Sequence, residues 1–386
     1  MQNRIFDIKW LTVMLLLNVN NVSAQQKPGD KNTASEAWVK YIDLNTYSKP
    51  FWKTDTIVDE TVQVIRQGDT ASAPLLFKAK KILSVKATNY SKTFQQGKDW
   101  DYKNGRLIFG INSTVPFFTK DSLVFNKPKP GNSFSGKAQG TYILFAEGSY
   151  FASKQISVTY IKDRGEKWKG PVPQYSASKL PNTGMLLNAR KKIKIVFYGN
   201  SIETGSNASG YEGAPPYMPS WPDQVIYNLR RHYGNNVGYA NTSVPGKLAE
   251  WGLDSVQTRV VAENPDLVII GFGMNDGTAK ISPDVYRNQI KGIIDAVRVK
   301  KPRAEFILIA PILANPLSVF SGLQSSYKAE LDKLAVNGIV IADMTGVHST
   351  LLRYKSYQDM TGNNINHPND YLVRWYAQFI CGLLIK

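Results

Sequence analysis

The residues best suited to chemistry fall in four short blocks of the C-terminal half. Gly199-Asn200-Ser201-Ile202-Glu203-Thr204-Gly205 sets a serine near glycine, where a tight turn can expose its hydroxyl and aim its own N–H into the same space. Serine is equally at home as a helix N-cap. In Asn241-Thr242-Ser243-Val244-Pro245-Gly246 the glycine lets the backbone approach a ligand closely. Its N–H could then donate to an oxygen gaining negative charge, although an ordinary turn asks for glycine too. Gly271-Phe272-Gly273-Met274-Asn275-Asp276-Gly277 offers the Asn275 amide as a further donor of that kind, and Asn-Asp-Gly also suits a simple turn. Asn364-Ile365-Asn366-His367-Pro368 places a histidine where it could serve as general base, or merely cap a helix at the surface.

What would bring these blocks together is the order of elements around them. Buried apolar runs at 193–198, 267–272, 306–310 and 339–342 read as strands, with a shorter one at 237–240. Helical spacing fills 221–233, a stretch running to Glu263, then 283–300, 325–336 and a closing helix at 370–384. Pro222 suits the first turn of its helix. Strand and helix in alternation imply a parallel sheet with helices on both faces, whose reactive groups collect beyond the carboxyl ends of the strands. The serine, glycine and asparagine blocks each follow such a strand, and the histidine block precedes the last helix.

The first half has a different pattern. Residues 61–65, 82–85 and 156–160 alternate apolar and polar, and Asn104-Gly105 is a two-residue hairpin signal between short strands. Short strands without long helical patterns predict a β-sandwich over 36–165. Residues 166–192 carry Pro171, Pro173, Pro181 and Gly184 with little periodicity and read as a linker to an α/β domain at 193–386. Ahead of these, Arg4 and Lys9, an apolar run from Trp10 to Val19 and the small residues Val22-Ser23-Ala24 have the order of a secretory signal peptide, residues 1–24. That run is too short to span a bilayer comfortably, so a secreted or periplasmic protein without membrane insertion is expected.

Composition narrows the chemistry further. A single cysteine, Cys381, excludes an intramolecular disulfide framework and a thiolate-rich zinc site. With three histidines in all, His232, His348 and His367, neither a metal nor any other cofactor is expected. Lysine and arginine outnumber aspartate and glutamate 47 to 30, a net charge of +17. Such an excess attracts polyanions. The basic residues are scattered and no nucleic-acid-binding signature accompanies them, so no nucleic-acid partner is expected.

The order Ser201, Gly246, Asn275, His367 resembles that of the SGNH, or GDSL-like, hydrolase family. Gly199-Asn200-Ser201 matches its first block with Asn200 where aspartate is usual, Gly246 the second, Gly273-Met274-Asn275-Asp276 the third and His367 the last. The resemblance covers about residues 190–386. It implies an α/β, flavodoxin-like parallel-sheet domain, preceded here by the jelly-roll-like β-sandwich. It implies Ser201 as nucleophile and His367 as its base, with the N–H groups of Ser201 and Gly246 and the Asn275 amide as oxyanion hole. The family usually has aspartate three residues before the histidine, and this chain has Asn364. Three readings follow: a Ser–His dyad oriented by Asn364 or by a backbone carbonyl, a substitute carboxylate at Asp343, Asp359 or Asp370, or a weakened enzyme. The dyad is favoured because the other four elements are present.

The two-domain layout is similar to that of carbohydrate esterase family two. By resemblance, then, the expectation is an exported esterase that removes acetyl groups from a polysaccharide or oligosaccharide, an acidic one in view of the charge. A lipase, arylesterase or thioesterase is the alternative, with the 211–219 loop and the 221–233 helix lining an acyl pocket. A glycan-binding protein that has lost catalysis is a third reading, motivated by Asn200 and Asn364.

Overall fold

Five buried strands form the frame on which the candidate site is built. In the computed structural model, which describes residues 36–386 except Thr70, they follow a strand-rich first half. The signal peptide expected over residues 1–24 lies outside the described residues. Residues Trp38–Lys386 form one compact unit.

The first half holds β1 (Thr56–Gln63), β2 (Ile65–Arg66), β3 (Ala71–Pro74), β4 (Ala79–Ala87), β5 (Asp101–Lys103), β6 (Arg106–Phe109), β7 (Phe118–Thr119), β8 (Val124–Phe125), β9 (Ser133–Ser135), β10 (Tyr142–Leu144) and β11 (Gln155–Lys162). They make three antiparallel three-stranded sheets, β1-β11-β4, β3-β6-β5 and β8-β10-β9, and one two-stranded parallel pair, β2-β7. Asn104-Gly105 turns β5 back onto β6, both residues with the positive φ that such a hairpin turn requires.

Residues 166–192 are more ordered than their composition suggests. Pro181–Asn188 forms a helix, α1, whose first N–H groups are capped from outside: the Glu305 carboxylate accepts from Asn182 at 2.9 Å and Thr183 at 2.7 Å. A distant carboxylate therefore supplies the cap that the local sequence lacks.

Strands β12 (Ile193–Gly199), β13 (Val237–Asn241), β14 (Leu267–Gly271), β15 (Glu305–Ala310) and β16 (Ile339–Asp343) form one sheet in the order β13-β12-β14-β15-β16, parallel throughout. This is the flavodoxin-like order. Between and after them come α2 (Ser201–Thr204), α3 (Trp221–Tyr233), α4 (Ala249–Arg259), α5 (Met274–Thr278), α6 (Pro283–Lys300), α7 (Tyr327–Asp332), α8 (Met344–Leu351) and α9 (Asp370–Leu384). The helix expected at 325–336 is confined to α7 with a 3-10 turn before it, and α5 and α8 occupy stretches that the pattern left as loops.

Both faces of the sheet are covered, which is why its strands are apolar without alternation. Ile195, Phe197, Leu267 and Ile269 pack on one side with Trp221 and Val225 of α3 and Trp375 and Tyr376 of α9. Val196, Tyr198, Val268 and Ile270 pack on the other with Val256 of α4 and Ile290 and Ile293 of α6. The first of these cores runs on into the strand-rich half, where the Phe51 ring lies 5.1 Å from that of Trp375. Register sets the strand exits level: Gly199 pairs with Gly271, and Phe197 with Asn241.

Candidate active site

Ser201 is the first residue of α2, directly beyond the end of β12. The turn that presents it is built on a buried acid. The Glu203 side chain lies against Gly199 and Gly271, and a Cβ at either glycine would run into it. One Glu203 oxygen accepts the Asn200 N–H at 2.9 Å. Burial pushes the Glu203 carboxyl up to about 8, so it is mostly protonated at neutral pH. Asn200 accepts the Ile202 N–H through Oδ1 at 3.1 Å and donates from Nδ2 to the Gly271 carbonyl at 3.3 Å. Aspartate at 200 could make the first of these bonds but not the second.

His367 reaches the serine from a loop held closed by its own polar groups. The Asn363 Oδ1 accepts the N–H groups of Ile365, Asn366 and His367 at 3.0, 3.0 and 3.1 Å. Thr361 Oγ1 and the Gly362 N–H both donate to the His367 carbonyl at 3.0 Å. On this support His367 Nε2 lies 2.8 Å from Ser201 Oγ, and Nδ1 lies 2.5 Å from Asn207 Oδ1.

The direction of the Asn207 amide fixes the histidine tautomer. Asn207 Nδ2 faces the Gly148 carbonyl at 3.4 Å and Glu212 Oε1 at 3.3 Å, and both groups can only accept. The amide oxygen is therefore the atom turned to the imidazole, Nδ1 carries the proton, and Nε2 is left to accept from the Ser201 hydroxyl. Glu212 Oε1 also takes the Asn207 N–H at 3.1 Å. Asn207 has φ 64, a left-handed conformation that asparagine tolerates, and Gly362 leaves room for it. Burial lowers the His367 pKa to about 4, so the ring is neutral at rest and Nε2 is free to accept a proton.

Asn275 and Gly246 meet across the ends of β13 and β14. Asn275 Nδ2 donates to the Lys247 carbonyl at 3.0 Å, next to Gly246 in the chain. Asp276 ties the same two loops, accepting the Ala249 N–H at 2.8 Å and the Gly273 N–H at 2.9 Å. Burial pushes its carboxyl up to about 6. Gly246 has φ 76, and a Cβ there would meet open space, so it is the backbone conformation that calls for glycine. Among the described residues, the N–H groups of Ser201 and Gly246 have no acceptor.

Asn364 does not orient His367. It is fully buried, its Nδ2 donates to the Leu144 carbonyl of β10 at 2.9 Å, and its Oδ1 accepts from Asn315 at 3.2 Å and Gln358 at 2.9 Å. An aspartate there could not donate to Leu144. The three aspartates weighed as substitutes are engaged elsewhere. Asp343 caps α8 through the Gly346 N–H at 2.8 Å, Asp359 accepts the Gln63 N–H at 2.6 Å, and Asp370 accepts the Ser209 N–H at 2.8 Å.

The polar groups that do stand behind the imidazole are Asn207 and, 3.9 Å from Nδ1, Glu147 Oε2. Neither stands out in the sequence. Asn207 lies in a run of small residues, Gly205-Ser206-Asn207-Ala208-Ser209-Gly210, and Glu147 in the other half of the chain; nothing in their spacing marks them. Among the described residues no group of three His, Cys, Asp or Glu side chains could hold a metal ion, and no helix is long and apolar enough to cross a membrane.

Comparison with known proteins follows the same blocks. Residues 197–371 match the profile of the GDSL-like Lipase/Acylhydrolase family. An arylesterase of Vibrio mimicus is 29% identical over 105 residues, which make up 27% of this chain and 48% of the relative. The match thus spans about half the length of that relative. Among solved structures, a two-domain esterase active on acetylated mannans, co-crystallised with mannopentaose, aligns at 17% identity and a TM-score of 0.43 over 55% of this chain and 54% of its own. A catalytic mutant of an acetylxylan esterase from Geobacillus stearothermophilus aligns at 16% identity and a TM-score of 0.40, over 49% and 92% respectively. Residues 197–371, with the serine, glycine and asparagine blocks at neighbouring strand exits and the histidine block just ahead of the closing helix, are thus similar to the GDSL-like lipase/acylhydrolase family.

Proposed function

We propose that the chain is an exported serine esterase that removes O-acetyl groups from a polysaccharide or oligosaccharide through an acyl-enzyme. The observation that carries this reading is the 2.8 Å contact between His367 Nε2 and Ser201 Oγ, with Asn207 fixing the imidazole from behind. His367 takes the Ser201 proton as the oxygen attacks the ester carbonyl. The N–H groups of Ser201 and Gly246 and the Asn275 amide then receive the oxyanion. The imidazolium returns its proton to the departing sugar hydroxyl. A water deprotonated by His367 releases acetate by the same steps in reverse order.

The carbohydrate preference rests on three features together. They are the leader-like residues 1–24, the net charge of +17, which favours an acidic glycan, and the strand-rich segment 36–165, read as a β-sandwich that frames the serine. Residues 166–192 and 193–386 are then the linker and the hydrolase domain. A hydrolase of non-carbohydrate esters is the second reading, favoured by the arylesterase relative. Hydrolysis of p-nitrophenyl acetate, with Ser201→Ala as control, tests the esterase reading. Acetate release from acetylated xylan and pectin, set against turnover of long-chain esters, tests the substrate class. Long-chain turnover without acetate release would overturn the polysaccharide reading.

A further inference from the structure

We propose that Glu147, on the loop that follows β10 in the strand-rich half, supplies behind His367 the negative charge that the family usually takes from an aspartate three residues before the histidine, while Asn207 supplies the hydrogen bond to the ring. The inference rests on the esterase reading above for its consequence in turnover, but not for its geometry.

Three observations place Glu147 in that role. Its Oε2 is 3.9 Å from His367 Nδ1, the one carboxylate within salt-bridge distance of the ring among the described residues. The neighbouring Gly148 carbonyl faces Asn207 Nδ2 at 3.4 Å, so the same loop that carries the charge also helps to fix the amide between it and the ring. The loop is anchored to the histidine loop itself, because Asn364 Nδ2 donates to the Leu144 carbonyl at 2.9 Å, three residues before Glu147. The position that could have held the carboxylate holds the amide that docks the strand bringing one in.

The other acids around His367 are turned away from it. Glu212 touches Asn207 rather than the ring, Glu203 points to the Asn200 N–H, and Asp370 to the Ser209 N–H. Partial burial lifts the Glu147 carboxyl above its usual value. Its side chain remains 56% open to solvent. A carboxylate at this distance stabilises the imidazolium that forms during attack. It does so modestly, since water screens it.

The test is Glu147→Gln in the full chain, which keeps the size of an exposed side chain and removes its charge. We expect kcat on p-nitrophenyl acetate to fall about 5- to 10-fold at pH 7.5 with KM unchanged, and Glu147→Asp to recover part of the loss. A side chain that merely packs would not move the titration of the ring. NMR titration of His367, one of only three histidines, should show its midpoint falling in Glu147→Gln by at most about half a pH unit, because the ring titrates near 4, where the raised Glu147 carboxyl is already largely protonated. The titration is read over the range in which circular dichroism shows the fold intact. An unchanged His367 midpoint overturns the proposal, whatever happens to kcat. Absence of esterase activity in the wild type, or its survival in Ser201→Ala, would instead overturn the reading of the function, and the titration would still decide the role of Glu147.

Discussion

Asn207→Gly isolates the group that holds the imidazole. Glycine is the replacement of choice because the position has φ 64, where alanine would add backbone strain of its own. The backbone N–H bond to Glu212 can persist, so the loop keeps its local anchor while the amide disappears. What is lost is one hydrogen bond from Nδ1 to Oδ1, 2.5 Å long in the resting ring. During attack the ring becomes an imidazolium, and a bond from a charged donor contributes about 1.5–3 kcal/mol. At about 1.4 kcal/mol per decade, kcat should fall by roughly 10- to 100-fold. KM should change little, because the bond strengthens only as the proton arrives. Steady-state kinetics on p-nitrophenyl acetate, with circular dichroism to show the fold intact, measures both. A folded Asn207→Gly with kcat within twofold of wild type would refute the reasoning and leave the ring positioned by its loop alone.

Ser201→Ala and His367→Ala should each abolish ester hydrolysis, and the double variant should be little worse than either, since nucleophile and base act as a unit; a residual rate above a few per cent in a folded single variant would contradict this. Asn275→Ala should lower kcat by ~10²–10³ with little effect on KM, and an unchanged kcat would reduce Asn275 to a tie to Lys247. Asn364→Asp, which restores the residue usual in the family, should not raise activity and should destabilise the protein by about 2–4 kcal/mol in urea unfolding, because it buries a charge against the Leu144 carbonyl. Glu203 has its folded pKa raised from 4.5 to about 8, so its contribution is present at low pH and is lost as pH rises through that window, by roughly 5 kcal/mol at most. Relative to wild type, Glu203→Gln should therefore gain stability between pH 5 and 9, and parallel stability curves for the two proteins would count against that assignment.

How much of this was legible in the sequence depended on how local the cause was. The sheet could be read directly, because residues buried on both faces must be apolar in unbroken runs, as 193–198 and 267–272 are. The four chemical blocks could be read because each follows or precedes such an element at a fixed offset. α1 could not, since its cap comes from Glu305, far along the chain. Asn207 and Glu147 could not either. Their roles depend on where the 205–220 loop and the turn after β10 come to rest, and no periodicity encodes that. The three aspartates near His367 in sequence were natural candidates by proximity, but each faces an N–H that needs it elsewhere.

The two asparagines that depart from the family pattern share one physical explanation. Each stands where aspartate is usual, each is fully buried, and each donates from its amide nitrogen to a backbone carbonyl, Asn200 to Gly271 and Asn364 to Leu144. A carboxylate could satisfy neither carbonyl and would add a buried charge to each place. At position 200 the exchange leaves the serine turn capped, because the Ile202 N–H still finds an oxygen. At position 364 it exchanges a charge beside the histidine for a bond to the strand-rich half. That exchange is tolerable only if the imidazole is held by another group, and Asn207 supplies the hold at 2.5 Å. The asparagines are thus not in themselves evidence of lost catalysis, since the serine–histidine contact they surround is formed at hydrogen-bonding distance.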